Sequence, residues 1–225
     1  MKSQKEVWSE EHLTQKTFTR IHSNKPSGPI PGFIKYIKKQ GYLPRLIKVL
    51  DLGCGKGRNS IWVASQGLSI TGVDFAPEAI DEAIKRANGR FNNLKFKVVD
   101  LTEKWPYRDD SFLAVMDCNT TICIPSPGRQ NSVTEAFRVL RPGGFYLFYG
   151  VGRTSSVNKS PGSEPNSTIF TGSGKFEKQY TEKELRSTYK DFKIMRLEMR
   201  IGSDLIEGKN ITYSMWVGLF QKPIH

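Results

Sequence analysis

Three glycines at alternating positions, Gly53, Gly55 and Gly57, follow directly on the apolar run Val49-Leu50-Asp51-Leu52. Glycine reaches positive φ at little cost and lets a backbone come close to a ligand. A helix beginning just after such a turn directs its free N–H groups at whatever lies in front of it. A dinucleotide fingerprint needs a third small residue at position 58, which is Arg, and a Walker loop needs Ser or Thr after its lysine, whereas Lys56 precedes Gly57. Neither phosphate-binding pattern fits. Three more apolar runs close on an acid, at Asp74, Asp100 and Asp117, as the first carries Asp51. Ligands of open α/β sheets bind at the carboxyl ends of the strands. Carboxylates at those ends suit neutral hydroxyl and amine donors and would repel a pyrophosphate.

For four acids to share one edge, the apolar runs must be strands of a single parallel sheet with helices between them. The order allows it. Residues 47–52, 69–74, 94–100, 112–117 and 145–151 read as nearly continuous apolar strands, the mark of a sheet covered on both faces. Between them, 58–67 and 77–89 have helical spacing, the latter with Ile80, Ala83, Ile84 and Ala87 three or four apart; 128–140 follows the same period. Gly67 and Gly89 are natural stops, and Pro77 sits in a first turn, where its missing N–H costs nothing. Upstream, 33–43 predicts a short amphipathic helix with Phe33, Ile34 and Ile37 on one side. Downstream, sixteen of the twenty-one residues 154–174 are Gly, Ser, Thr, Pro or Asn, which predicts an uncovered loop. Thr181 and Glu184 form a capping box for a helix over 181–191, and 192–202 and 211–222 predict two long antiparallel strands joined by the turn-like 203–210.

The segment VLDLGCGKGRN at 49–59 closely resembles the first motif of the class I S-adenosylmethionine-dependent methyltransferases, V-L-D-x-G-x-G-x-G, and the resemblance stays in register over about 47–151. Its glycine loop, GCGKGRNSIWVASQG followed by TGVDFAPEAI, is most similar to the small-molecule branch typified by the tellurite-resistance and thiopurine methyltransferases. This resemblance implies an α/β, Rossmann-like fold: a seven-stranded, mostly parallel sheet with an antiparallel last strand and helices on both faces, a three-layer α/β/α sandwich. It also implies S-adenosyl-L-methionine as cofactor and methyl transfer by direct displacement. Carried over position by position, Asp51 orients the glycine turn near the cofactor's amino group, and Gly53, Gly55 and Gly57 give room beside its methionine and ribose, with Cys54 a small residue packed in the turn. Asp74 accepts from the ribose hydroxyls, with Phe75 beside the adenine. Asp100 accepts from the adenine amino group, the Leu101 N–H donates to the ring, and Asp117 stands where cofactor and acceptor meet.

The acceptor is less legible. Of three histidines, His225 is terminal and His12 lies in a charged segment, so His22, before a proline-rich turn, is the candidate base. Cys54, Cys118 and Cys123 show no paired spacing, so no zinc site or disulfide framework is expected. The net charge of +12 is uneven: residues 1–50 carry +7, 51–150 carry +1 and 151–225 carry +4. A basic rim can steer an anion or a nucleic acid, yet the chain has no dense Lys/Arg run beyond Lys35, Lys38 and Lys39. A small, anionic acceptor therefore fits better than RNA, protein or an idle binding role. The organisation expected is a basic flank and helix at 1–45 serving as a lid, then a methyltransferase domain at 46–225 with a loop insertion at about 152–180 closing the other side. Oligomeric state is not legible. No apolar stretch reaches the ~20 residues of a membrane span and no secretory leader is visible at the N-terminus, so the expected setting is cytoplasmic.

Overall fold

The computed structural model describes residues 2–14, 25–154, 159–206 and 209–224. In chain order it contains α1 (Gln4–Thr14), α2 (Ile30–Lys38), β1 (Lys48–Leu52), α3 (Arg58–Ser65), β2 (Ser69–Asp74), α4 (Pro77–Ala87), β3 (Leu94–Val98), β4 (Phe112–Cys118), α5 (Gly128–Val139) and β5 (Leu140–Thr154). The second part holds β6 (Lys159–Pro161), β7 (Ser167–Phe170), β8 (Phe176–Lys178), α6 (Glu182–Thr188), β9 (Lys193–Ile206) and β10 (Lys209–Gln221). Seven strands form one sheet in the order β3-β2-β1-β4-β5-β10-β9. The first five are mutually parallel, and β10 runs antiparallel to both β5 and β9. This is the expected Rossmann-like, three-layer arrangement.

Because successive strand residues face opposite sides, each central strand feeds two cores. Val49 faces the layer of α2 and α3, packing with Ile34, Ile37 and Val63. Leu50 and Leu52 face the α5–α6 layer, with Val133, Ala136, Leu185 and Tyr189. That second core is aromatic: Tyr189 stacks on Phe220 with centroids 4.3 Å apart, and Phe148 meets Tyr180 edge-on at 5.5 Å. The capping box at Thr181 and Glu184 forms as expected and sets the start of α6.

Four expectations are corrected. The stretch 154–174 is not a bare loop, because β6, β7 and β8 pair into a small antiparallel sheet of their own. Its turn-rich composition serves the corners, where Asn166, Gly172 and Gly174 take positive φ, and strands of three or four residues are too short to print a period. The turn-like 203–210 is mostly strand, since β9 and β10 stay paired out to Ile206↔Lys209. The third strand stops at Val98, two residues before Asp100; it is an edge strand with Lys95 and Lys97, not a continuous apolar run. Finally, α2 does not belong to a detachable flank. Ile30, Phe33, Ile34 and Ile37 are buried in the same core as β1 and α3, so among the described residues of the flank it is α1 that borders the cavity.

Candidate functional site

The strand order reverses between β1 and β4, and at such a switch point the chain leaves neighbouring strands in opposite directions and opens a crevice at their carboxyl ends. A cavity of about 590 Å³ lies there. Its walls come from the glycine turn, the ends of β2 and β4, the turn after β3, and α1.

All three glycines have positive φ, at +55° for Gly53, +51° for Gly55 and +78° for Gly57, but for different reasons. A Cβ on Gly53 would come within 2.3 Å of the Thr120 side chain, and one on Gly57 within 2.7 Å of the Phe96 ring. These two are close approaches of one element to another. A Cβ on Gly55 would meet only His12, at 3.7 Å, so Gly55 opens the turn's backbone to the cavity.

The acids divide into two pairs. Asp74 lines the cavity and also ties the turn down: its Oδ2 accepts from the Gly55 N–H at 2.9 Å and its Oδ1 from the Ala76 N–H at 3.0 Å. Asp100 lines it too, with Oδ1 accepting from the Thr102 N–H and hydroxyl at 2.9 and 2.7 Å, and Oδ2 paired with Lys5. Burial works to raise its pKa, but the Lys5 ammonium and the Thr102 donors hold it below the ordinary carboxylate value. Asp51 and Asp117 stand behind the wall. Asp117 is fully buried; Oδ1 accepts from the N–H groups of Thr120 and Thr121 at 3.1 Å each, and Oδ2 from the Thr121 hydroxyl and from Tyr146 at 2.9 Å. Burial raises its pKa against these donors. Its part is to shape the turn after β4, which the sequence did not disclose.

Asp51 accepts from the Ser60 hydroxyl at 2.6 Å through Oδ2, while Oδ1 has no partner among the described residues. Burial lifts its pKa to about 7, with Ser60 and the Arg58 charge pulling the other way. A carboxyl whose folded pKa lies above its unfolded value of about 3.9 stabilises fully only below that value, and the contribution is lost as pH rises toward 7. Asp51→Asn removes this titration and still offers Ser60 an oxygen. The variant should therefore melt with the wild type at pH 4 and above it at pH 8. A lower melting temperature at pH 8 would show that the ionised carboxylate is held by a partner.

Of the residues singled out by sequence, Gly53, Cys54, Gly55, Asp74, Phe75, Asp100 and Leu101 line the cavity, whereas Asp51, Gly57 and Asp117 do not. The Cys54 thiol is buried and its pKa pushed well up, so it is a neutral packing group. His22 lies outside the described residues. His12, set aside by sequence, lines the cavity instead, on the same face of α1 as Lys5 and Trp8. Burial lowers the His12 pKa; Asp74, Glu11 and Glu78 oppose that and Lys56 adds to it. Gln4 fixes α1 by donating to Gly174 O at 2.8 Å and accepting from the Phe176 N–H at 2.8 Å. Lys175 pairs with Glu11 at 2.5 Å and stands 4.8 Å from the Trp8 ring centre. The small sheet thus clamps the helix across the cavity. Spacing of Lys5, Trp8 and His12 by three and four was the available signal, but a face of mixed polar and aromatic side chains carries no apolar period. Two cations of the insertion, Lys175 and Lys178, are paired with Glu11 and Glu184. Among the described residues, no group of three His, Cys, Asp or Glu is arranged to hold a metal ion, and no helix is long and apolar enough to cross a membrane.

Residues 49–144 match the family model described as "Methyltransferase domain". The chain is 34% identical over 100 residues to Methyltransferase GfsG of Streptomyces halstedii, covering 43% of this chain and 35% of that protein. It is 33% identical over 98 residues to the demethylmenaquinone methyltransferase of Tropheryma whipplei, covering 43% and 38%. The chain thus spans under half the length of the curated relatives it matches. Among solved structures, the Burkholderia thailandensis 1,6-didemethyltoxoflavin-N1-methyltransferase with bound S-adenosylhomocysteine superposes with a TM-score of 0.69 at 16% identity, over 98% of this chain and 87% of that one. TehB from Haemophilus influenzae gives 0.64 at 20% identity, over 95% and 67%. At these identities the likeness is one of fold.

Proposed function

We propose, since residues 49–144 match a family model described as "Methyltransferase domain", that this protein is a class I, S-adenosylmethionine-dependent methyltransferase and transfers the cofactor's methyl group to a small-molecule acceptor. The observation that carries this reading is the cavity itself: an open glycine turn with two carboxylates lining it, Asp74 at the end of β2 and Asp100 in the turn after β3. Its volume of about 590 Å³ suits one cofactor and a modest partner. S-adenosylmethionine, when bound, supplies a methyl group on a sulfonium that is already a good leaving group. Asp74 has acceptor capacity left beyond the two N–H groups it holds and would take the ribose hydroxyls, with Phe75 beside the adenine. Asp100 would take the adenine amino group once Lys5 yields its place, with the Leu101 N–H donating to the ring. The backbone of Gly53 and Gly55 would flank the methionine portion. Behind them, Asp51 and Asp117 hold the turns in shape. α1, clamped by the small sheet, excludes water, and alignment in a dry site is the enzyme's main contribution to a displacement of this kind.

A small acceptor is supported by the volume of the cavity and by relatives whose names specify demethylmenaquinone and, for the fold, 1,6-didemethyltoxoflavin. The reading is tested with methyl-labelled S-adenosylmethionine, the purified chain and a desalted lysate to which its small-molecule fraction is returned. Labelled product beyond unreacted cofactor is expected in the acid-soluble fraction. Label in the insoluble fraction that nuclease or protease releases would replace the small acceptor with RNA or protein.

A further inference from the structure

β9 ends the main sheet on one side, and among the described residues no strand pairs with its outer edge. An open edge presents unpaired N–H and C=O groups and invites a further strand. Met195 is bulged out of the ladder, because Leu219 and Phe220 of β10 face Arg196 and Ile194. Beyond the bulge, 196–202, Arg-Leu-Glu-Met-Arg-Ile-Gly, is a regular stretch. Successive residues of a strand face opposite sides. Leu197, Met199 and Ile201 share one face, level with Gly218, Trp216 and Ser214 of β10. Leu197 packs against the aromatic core, but Met199 is 45% exposed and Ile201 76%. Arg196, Glu198 and Arg200 share the other face, where Glu198 Oε2 accepts from Arg196 at 2.9 Å and Oε1 from Arg200 at 2.7 Å. No described residue of β9 or β10 lines the cavity.

This stretch is complementary to itself in reverse. Two antiparallel copies of β9 about a two-fold axis keep like faces together only in registers centred on a residue, since a one-residue slip sets apolar side chains against charged ones. Centring on Glu198 sets Glu198 against its own copy and Arg196 against Arg200. Centring on Arg200 sets that arginine against its own copy. Centring on Leu197 draws the bulge at Met195 into the ladder, and centring on Ile201 pairs no opposite charges within 196–202. Centring on Met199 avoids all of this. Glu198 then faces Arg200 twice, Leu197 faces Ile201 twice, Met199 meets its own copy, and Arg196 faces Gly202, which has no side chain to oppose it.

We propose that β9 is the surface at which two copies of this chain associate, edge to edge and antiparallel, with Met199 on the two-fold axis. The contact is isologous and continues the seven-stranded sheet into the second copy. It covers the exposed apolar stripe with its own image. Arg200 passes from its own Glu198 to that of the other copy, so each Glu198 keeps two arginines. Cross-strand pairs of these kinds contribute modestly one by one, and a strand of this length, about 23 Å, makes a small interface. The association is therefore weak and reversible. It does not depend on the methyl-transfer reading.

The test is analytical ultracentrifugation of the full chain over a concentration series rising to roughly 100 µM. The mean mass should climb from that of one chain toward that of two. Met199→Lys sets two like charges on the axis, and Glu198→Arg makes both cross-strand pairs repulsive. Because the axis doubles every contact, each should weaken association about tenfold or more. Neither side chain is buried, so both variants should melt with the wild type in dilute solution, which separates loss of the contact from loss of the fold. Combining Glu198→Arg with Arg200→Glu exchanges the charges and restores both pairs in this register, so the double variant should associate again. A wild type that stays a single chain at every concentration overturns the proposal and leaves the stripe to a partner of different sequence. Association untouched by Met199→Lys overturns it by placing the contact on another surface. A double variant that associates no better than Glu198→Arg overturns the register and the charge argument with it.

Discussion

Gly53→Ala is expected to destabilise the protein by about 3 kcal/mol, from about 1–2 kcal/mol for an L-residue in the left-handed region and about 1–3 kcal/mol for overpacking. Both causes are local. The position has φ +55°, and the added methyl would sit 2.3 Å from Thr120 Cγ2 and 2.5 Å from its Oγ1. Thr120 cannot simply turn away, because its hydroxyl donates to Leu52 O and its N–H to Asp117. At this chain length the loss corresponds to a fall in melting temperature of roughly 10 °C. The companion variant Thr120→Ala removes the two nearest atoms and leaves only its own Cβ, at 2.9 Å. The double variant should accordingly be less damaged than the sum of the singles, since residues in contact couple. Strict additivity would place the strain elsewhere. Because Gly53 joins the cofactor end to the Thr120 turn, Gly53→Ala should also weaken S-adenosylhomocysteine binding.

Asp74→Ala should abolish most of the stabilisation that S-adenosylhomocysteine confers. A ligand that binds only the native state at about 100 times its Kd stabilises by about 2.7 kcal/mol, or roughly 5–10 °C for a domain of this size. The carboxylate is assigned the ribose hydroxyls. Charge-assisted hydrogen bonds of this kind contribute about 1.5–3 kcal/mol each, so losing two weakens binding by a factor on the order of 100 or more. The variant also leaves the Gly55 and Ala76 N–H groups without their acceptor. Gly55 borders the cavity, so water can reach its N–H, and the stability cost in the free protein should stay within about 1–3 kcal/mol. Asp74→Asn retains one oxygen but turns an NH2 toward a backbone donor, so it should fall between the two. A full thermal shift in Asp74→Ala, measured by scanning fluorimetry with and without ligand, would remove Asp74 from the cofactor site.

The two variants touch different parts of one design. Asp74 reaches the ligand directly and fixes the turn through Gly55, whereas Gly53 is needed because the chain leaving β4 crosses so near the chain leaving β1. The crevice exists because those strands are neighbours whose onward connections run to opposite faces. Asp117, buried and saturated with donors, sets the shape of the second connection.

Local signals carried much of this architecture. Strand β1, the glycine turn and α3 follow from an apolar run, three alternating glycines and helical spacing, all within twenty residues. The same is true of α4, opened by Pro77, and of α6, opened by Thr181 and Glu184. A parallel order for the first five strands follows once helices separate them, because a parallel pair needs a long crossover. The acids at strand ends are legible as a set for the same reason.

What the sequence could not show is which acids face the ligand. Asp51 and Asp100 look alike as residues, yet one lies under Ser60 and the other stands at the cavity opposite Lys5. That distinction depends on what packs above each strand end, a contact between residues far apart in the chain. The roof was hidden likewise. α1 has little apolar content, and it is held in place by Gln4, Glu11 and Trp8 meeting Gly174, Phe176 and Lys175, some 160 to 170 positions away. His12 in a charged segment is unremarkable until that clamp sets it against Gly55. By itself the sequence determined the layered sheet and the glycine turn, because each rests on spacing within one or two elements, and the kind of ligand entered through the resemblance that the turn carries. Tertiary structure alone decided which carboxylates line the cavity and which helix covers it, because hydrogen bonds and ion pairs between distant segments leave no period in the chain.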